Sequence, residues 1–319
     1  MREQNIDIKK LNILKRRRTK EVVRLHLFDL QDGSSWTTRA AIIASKKQGP
    51  VVTVVAGQHG DELNGIFVAH RLFEEVELQD LTGTLVILPI ANPFSFLQKS
   101  RVSVLDQIDM NRSYDVPSER HPTSLAGAML FEEIFSKSNF VIDIHSGGPG
   151  SYLPNVGVVE QGRFELASYF NTGSVVLVHR DHGTLIGASE RHSVPAFSLQ
   201  VGQSLDIDYE VCERMVDGLM NFFRGVDLIP EDTKTLDNQK LFTEKKLVVA
   251  PEGGFVTLDV SLGDPVETGQ RIGEVEPLFG EPIEIVAPGD GHVIYIRKEP
   301  IISRGDNIVH LVRRGSSER

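Results

Sequence analysis

Cysteine is almost absent from these 319 residues, Cys212 standing alone. No internal disulfide can form, so burial must hold the fold, and the chain fits a reducing compartment. Long apolar runs are missing too. No window approaches the roughly 20 apolar residues of a spanning helix, and the opening MREQNIDIKK has no apolar h-region. We therefore expect a cytoplasmic protein with no membrane partner. Net positive charge is also lacking: the formal balance is −10, which argues against a sequence-independent grip on nucleic-acid phosphates. The one basic run, Lys15 to Arg18, is short enough to be a solvated face.

What is present is ordinary for a globular protein, with 40% hydrophobic and 24% charged residues. Single cores stop growing near about 250 to 300 residues, so a large domain plus a smaller one is expected. Residues 22–30 and 37–45 alternate as strands, and QDGSS between them reads as the turn of a hairpin spanning 22–45. Residues 51–56 and 84–90 are buried-strand runs. Between them the spacing predicts a helix over 63–77, with Leu63, Phe67 and His70 on one face. The polar stretch 94–122 has no period and reads as a long loop, a form that is usually functional or disordered. Helical spacing returns at 125–138, 163–171 and 208–224, and strands are expected at 140–145, 155–160, 174–179 and 194–201. Strands alternating with helices imply an α/β domain over 1–224, built on a mixed, mostly parallel sheet flanked by helices.

Residues 225–245 turn polar and read as a linker. Beyond them, 246–319 is rich in short strands and Gly and Pro turns, and it repeats internally. Ala250-Pro251, Gly254 and Val256 recur as Ala287-Pro288, Gly291 and Val293. Two such units, neither able to bury a face alone, pack as a small all-β sandwich. This module resembles the barrel-sandwich fold of biotinyl and lipoyl carriers. Those carriers present a modifiable lysine between the halves, whereas GEVEPLFGEPIEI here has none, so we read a structural or lid-like module.

Chemistry concentrates at VVTVVAGQHGDELNG, residues 51–65, where a buried strand runs through a loop into a helix. Open α/β sheets place ligands at such strand ends. His59 and Glu62 lie three positions apart and can face one spot, and the strand FVIDIH ends in His145 before two glycines. Together they form a candidate zinc site. Catalytic zinc takes three N or O ligands, keeps a fourth position for water and lowers that water's pKa to about 7. Asp143 is placed to hold the His145 ring from behind, or else to bond nearby backbone. Arg101, and Asn111-Arg112 within Asp109-Met110-Asn111-Arg112, lie in the unpatterned stretch. A pocket that binds a carboxylate or an oxyanion favours arginine's rigid fork. His179 and His182, an H-x-x-H at an expected strand-to-loop junction, could line the pocket or bind a second metal, but read as incidental. Ser146 lacks the G-x-S-x-G frame of a nucleophile.

Taken together, G-x-H-G-D-E, an R…D-x-N-R segment and D-x-H-S-G-G resemble the succinylglutamate desuccinylase and aspartoacylase family, zinc-dependent deacylases of carboxypeptidase A type fold. The resemblance covers nearly the whole chain. It implies one zinc per chain on His59, Glu62 and His145, an Arg101 that polarises the scissile carbonyl, and an Asn111-Arg112 pair that holds the substrate carboxylate. Variants with this domain order look like deacetylases of N-acetylated diamino acids. One departure stands out. The family's general base is a glutamate in a context like P-A-x-T-x-E-x-G-G, and Gln200 occupies that place in Pro195-Ala196-Phe197-Ser198-Leu199-Gln200-Val201-Gly202. An amide cannot accept a proton from water at neutral pH. Glu190, Asp206, Asp208 and Glu210 flank this strand as substitutes, with the solvated surface as their default place.

The leading expectation is a deacylase of a small N-acyl amino acid, N-acetyl or N-succinyl. A carboxypeptidase-like peptidase on short peptides and a catalytically silent binder of metal and carboxylate are the alternatives. The oligomeric state stays open, a homo-oligomer included.

Overall fold

A computed structural model describes residues 4–115, 121–179, 181–234 and 236–315. Of the stretch expected to be unpatterned, 116–120 lie outside the described residues, as do the chain's first three and last four. Strand β1 (Gln4–Asp7) pairs in parallel with β2 (Thr19–Asp29), which folds back on β3 (Ser35–Ala44) as the expected hairpin. Next come β4 (Val51–Val55), α1 (Leu63–Glu75), β5 (Thr84–Leu88), α2 (Pro93–Gln98), α3 (Pro122–Glu133), β6 (Phe140–His145) and β7 (Gly150–Val158). The α/β part then continues through α4 (Phe164–Ser168), β8 (Ser174–Leu177), α5 (Leu185–Arg191), β9 (Ala196–Gln203) and α6 (Tyr209–Gly225).

The order β5-β4-β6-β9 is parallel throughout. Every side chain of β4 (VVTVV) and β5 (TLVIL) is buried, as β-branched runs covered on both faces require. Because these strands share a direction, the loops after β4 and β6 leave at one edge of the sheet. One core packs α1 and α6 against the sheet, with Phe222 stacked on Phe170 at 4.4 Å and edge-on to Phe197 at 5.2 Å. Phe222→Ala is expected to cost ~3–5 kcal/mol, read as a lower denaturant midpoint without loss of metal binding.

The structure differs from the sequence reading at several elements. On α1 the buried stripe is Asn64, Gly65, Val68, Ala69 and Leu72, while His70 is exposed beside Glu74 at 3.7 Å. Gly65 explains the rotation: a Cβ there would come within 3.0 Å of the Ile144 carbonyl, so the bare helix face lies against β6. Helix α2 forms inside the stretch read as a loop, started by Asn92, which accepts from the Ser95 N–H at 3.1 Å, and by Pro93 at the first helical position. Helix α5 was not expected; Thr184 caps it, accepting from the Gly187 N–H at 3.2 Å. Strand β7 begins at Gly150, well ahead of the expected 155.

Past α6, β10 (Lys240–Phe242) pairs in parallel with β8. Asn221 accepts from the Lys234 N–H at 2.7 Å, so the polar stretch is fastened to the α/β part. The remaining strands are β11 (Glu244–Val249), β12 (Gly254–Leu258), β13 (Pro265–Val266), β14 (Arg271–Glu276), β15 (Ile283–Val286), β16 (Gly291–Arg297), β17 (Ile301–Ile302) and β18 (Asn307–Arg313). Four of them form a sheet of order β15-β14-β12-β17 that covers a core including Val248, Ile272, Val293 and Ile308. The other layer, β13, β16, β18 and β11, joins the main sheet through β16 and β7, so that among the described residues fourteen strands form one sheet. Among the described residues no helix is long and apolar enough to cross a membrane.

Candidate metal centre

The loop after β4 is pinned at Gly60, where any side chain would collide with the backbone of Ser95 and Phe96. That contact turns His59 and Glu62 back over the sheet edge, where β6 ends in His145. His59 Nδ1 lies 2.7 Å from Glu62 Oε1, and His145 Nδ1 lies 2.8 Å from Glu62 Oε2. All three side chains are buried, and one ligand atom from each lies within 4.8 Å of the others.

The far side of each ring is equally ordered. His59 Nε2 sits 2.9 Å from Asp109 Oδ1, and His145 Nε2 sits 2.8 Å from Asp143 Oδ2. Carboxylates placed behind imidazoles fix the tautomer and aim Nδ1 forward, which is the support that metal-ligating histidines need. Gln58 Nε2 in turn donates to Asp143 Oδ1 at 2.5 Å, and Arg101 pairs with Asp109 Oδ2 at 2.9 Å. The Ser146 N–H donates to Glu62 Oε2 at 3.1 Å. Two imidazoles, a carboxylate and this backing fit a borderline-soft divalent ion.

The charges follow from the packing. Burial alone would raise the Glu62 pKa, yet His59 and His145 hold it well below the carboxylate range. Burial alone would lower that of His145, but the Asp143 and Glu62 carboxylates outweigh it and raise it to about 10. His59 is raised by Glu62 and Asp109 against the same burial. Without metal, His145 therefore carries a proton below its pKa of about 10, and a metal must displace it. Divalent-metal affinity is expected to rise about tenfold per pH unit for each proton displaced across the neutral range. Calorimetry in buffers of different ionisation enthalpy checks this; an affinity flat in pH would contradict it.

The catalytic-domain model of the succinylglutamate desuccinylase/aspartoacylase family matches residues 48–226, which carry all of these groups. The chain belongs to that family. It is accordingly an amidohydrolase. An N-alpha-acetyl-L-2,4-diaminobutyric acid deacetylase of Halomonas elongata is 24% identical over 299 residues, covering 87% of this chain and 86% of the relative. Among solved structures, the product-bound ectoine utilization protein EutE (DoeB) from Ruegeria pomeroyi has a TM-score of 0.85 at 22% identity, covering 95% of this chain and 97% of its own. A succinylglutamate desuccinylase/aspartoacylase from Rhodobacter sphaeroides also reaches 0.85, at 18% identity over 96% of this chain and 98% of its own. The fold is shared over 95–96% of this chain.

In this family member, Asn111 is buried beside His145. Its Nδ2 lies 3.0 Å from the ring Nε2, and its Oδ1 accepts from the Leu185 N–H at 2.8 Å. Arg112 is exposed, with Nη1 donating to the Asn111 carbonyl at 2.6 Å. Gln200 is the cross-strand partner of His145 and so shares its face of the sheet; its Nε2 lies 3.3 Å from Ser198 Oγ. The flanking carboxylates are engaged elsewhere. Glu190 accepts from the Ala196 N–H at 3.1 Å at the start of β9, Asp208 caps α6, Glu210 pairs with Arg214 at 3.1 Å, and Asp206 meets Gln203 at 3.2 Å. His179 and His182 are exposed and belong to no cluster of three ligating groups among the described residues. The sequence reading missed Asp109 as the partner of His59 and Gln58 as the tether of Asp143. The D-x-N-R motif held Asp109 in view, but nothing local showed which ring it would meet.

Proposed function

We propose that this family member is a zinc-dependent deacylase that hydrolyses the amide bond of a small N-acyl amino acid, with an N-acetylated diamino acid as the first candidate. The observation that carries the reading is the pair of imidazoles facing Glu62, each backed by an aspartate. Similarity to the Halomonas elongata deacetylase over most of both chains supports the substrate class. His59, Glu62 and His145 would hold the zinc, which when bound would supply Lewis acidity to the scissile carbonyl and to water. Arg101, half-exposed and held by Asp109, donates to the carbonyl oxygen as charge develops there. Arg112, with Asn111 at its back, holds the substrate carboxylate in a bidentate grip. Gln200 stands where a proton acceptor is needed and can orient a water through its amide oxygen, but it cannot take up the proton.

That same residue favours a second reading, a catalytically silent binder of metal and carboxylate ligand. Amine release from N-acetyl and N-succinyl amino acids and from dipeptides, measured on zinc-loaded protein against a metal-free control, separates the readings. Release from an acyl amino acid establishes the deacylase. Binding with no release establishes the binder, and preference for dipeptides establishes a peptidase.

A further inference from the structure

Next to the metal ligands, a line of cross-strand partners runs from the α/β part into the C-terminal module. His145 lies opposite Gln200; two residues further along β9, Gly202 lies opposite Tyr152, Tyr152 opposite Tyr295, and Tyr295 opposite His310. The last three form one packed group. Tyr152 and Tyr295 rings are 4.8 Å apart, and His310 stacks on Tyr295 at 4.4 Å with 25° between the planes. The Tyr152 hydroxyl lies 3.0 Å from His310 Nδ1.

His310 is 6% exposed, and its Nε2 is buried without a hydrogen-bond partner among the described residues. Burial first, and the Lys245 ammonium second, lower its pKa to about 3, so the ring is neutral. A neutral imidazole has one N–H, and an orphaned buried donor is rarer in folded proteins than an under-satisfied acceptor. The proton therefore belongs on Nδ1, the bare lone pair on Nε2. With Nδ1–H donating to the phenol oxygen, the Tyr152 O–H is left to donate elsewhere. Burial raises the Tyr152 pKa most, and Tyr295 adds to that; the Glu62 carboxylate raises it further and the Arg101 guanidinium lowers it, so this phenol feels the charges of the candidate metal centre.

We propose that the Tyr152 hydroxyl donates a hydrogen bond to an oxygen of the acyl amino acid bound at the metal centre, and that His310 of the C-terminal module sets its direction. The substrate class rests on the deacylase reading; the donor geometry does not. The module thus shapes specificity through a positioning histidine behind a substrate-contacting tyrosine.

Tyr152→Phe keeps the ring packing and removes the hydroxyl, which is both the donor to the substrate and the acceptor of the His310 N–H. KM for an N-acetylated diamino acid is expected to rise roughly 5- to 20-fold with metal content unchanged, while the thermal midpoint falls modestly because the buried His310 N–H loses its acceptor. His310→Phe is expected to raise KM less, and the double variant to be no worse than Tyr152→Phe alone. Calorimetric binding of the same compound is measured in parallel. If the wild type binds it without releasing amine, the deacylase reading fails, while weaker binding by Tyr152→Phe still supports the donor. Unchanged KM and unchanged affinity overturn the proposal, as does a variant that only loses stability. Nitrogen NMR of the His310 ring tests the wild type directly: a protonated Nδ1 supports the assignment, and a protonated Nε2 overturns it.

Discussion

Gln200→Glu is expected to raise the rate of amide hydrolysis by roughly 10²- to 10⁴-fold, the usual worth of a positioned acid-base group. The two side chains have nearly the same shape, so the carboxylate would occupy the place of the amide on the face shared with His145. Glu190, Asp208 and Glu210 are committed to backbone or to an arginine, so none stands ready to do the work already. The new charge would add to the acidic group formed by Glu62, Asp143 and Asp109, a cost that a bound divalent ion offsets. The metal-free variant should therefore be less stable than the wild type and the loaded variant should not. Steady-state kinetics settles the outcome. A large gain from a near-zero start identifies a silenced site, and an unchanged rate shows that proton transfer runs through some other group.

His145→Ala carries the second large effect, the loss of the metal. Structural zinc sites bind with about 10–16 kcal/mol over three or four ligands, so one ligand is worth ~3 kcal/mol, or more than 10²-fold in affinity. The change also strips Asp143 of its ring partner and leaves Glu62 facing His59 alone. Metal content after dialysis should fall from one per chain toward zero, and hydrolysis should vanish at stoichiometric zinc while far-ultraviolet dichroism stays the same. Full retention of metal would falsify the ligand set.

The three candidate ligands were legible because each lies at or just past the end of a strand with a strong local signature. VVTVV and FVIDIH can only be buried strands, and parallel strands bring their ends to one edge. The partners of those ligands were not legible. Asp109 is fifty positions from His59, and only the path of the chain after α2 sets it against the ring. Short helices escaped for a different reason: α2 and α5 have six and seven residues, too few for a period to emerge, and they depend on caps and on what they pack against. The buried face of α1 does not follow its apolar spacing, because close approach to β6 selects the smallest residues. The tyrosine and histidine that meet across β7, β16 and β18 carry no sequence signal at all, being brought together solely by register.

That register has a mechanical result. Carrier modules of similar outline work by swinging on a loose tether, but here residues 150–152 of β7 are laced by backbone hydrogen bonds to 295–297 of β16. The module is riveted to the hydrolase body, so it cannot travel between partners, and heat should take both halves apart in a single endotherm.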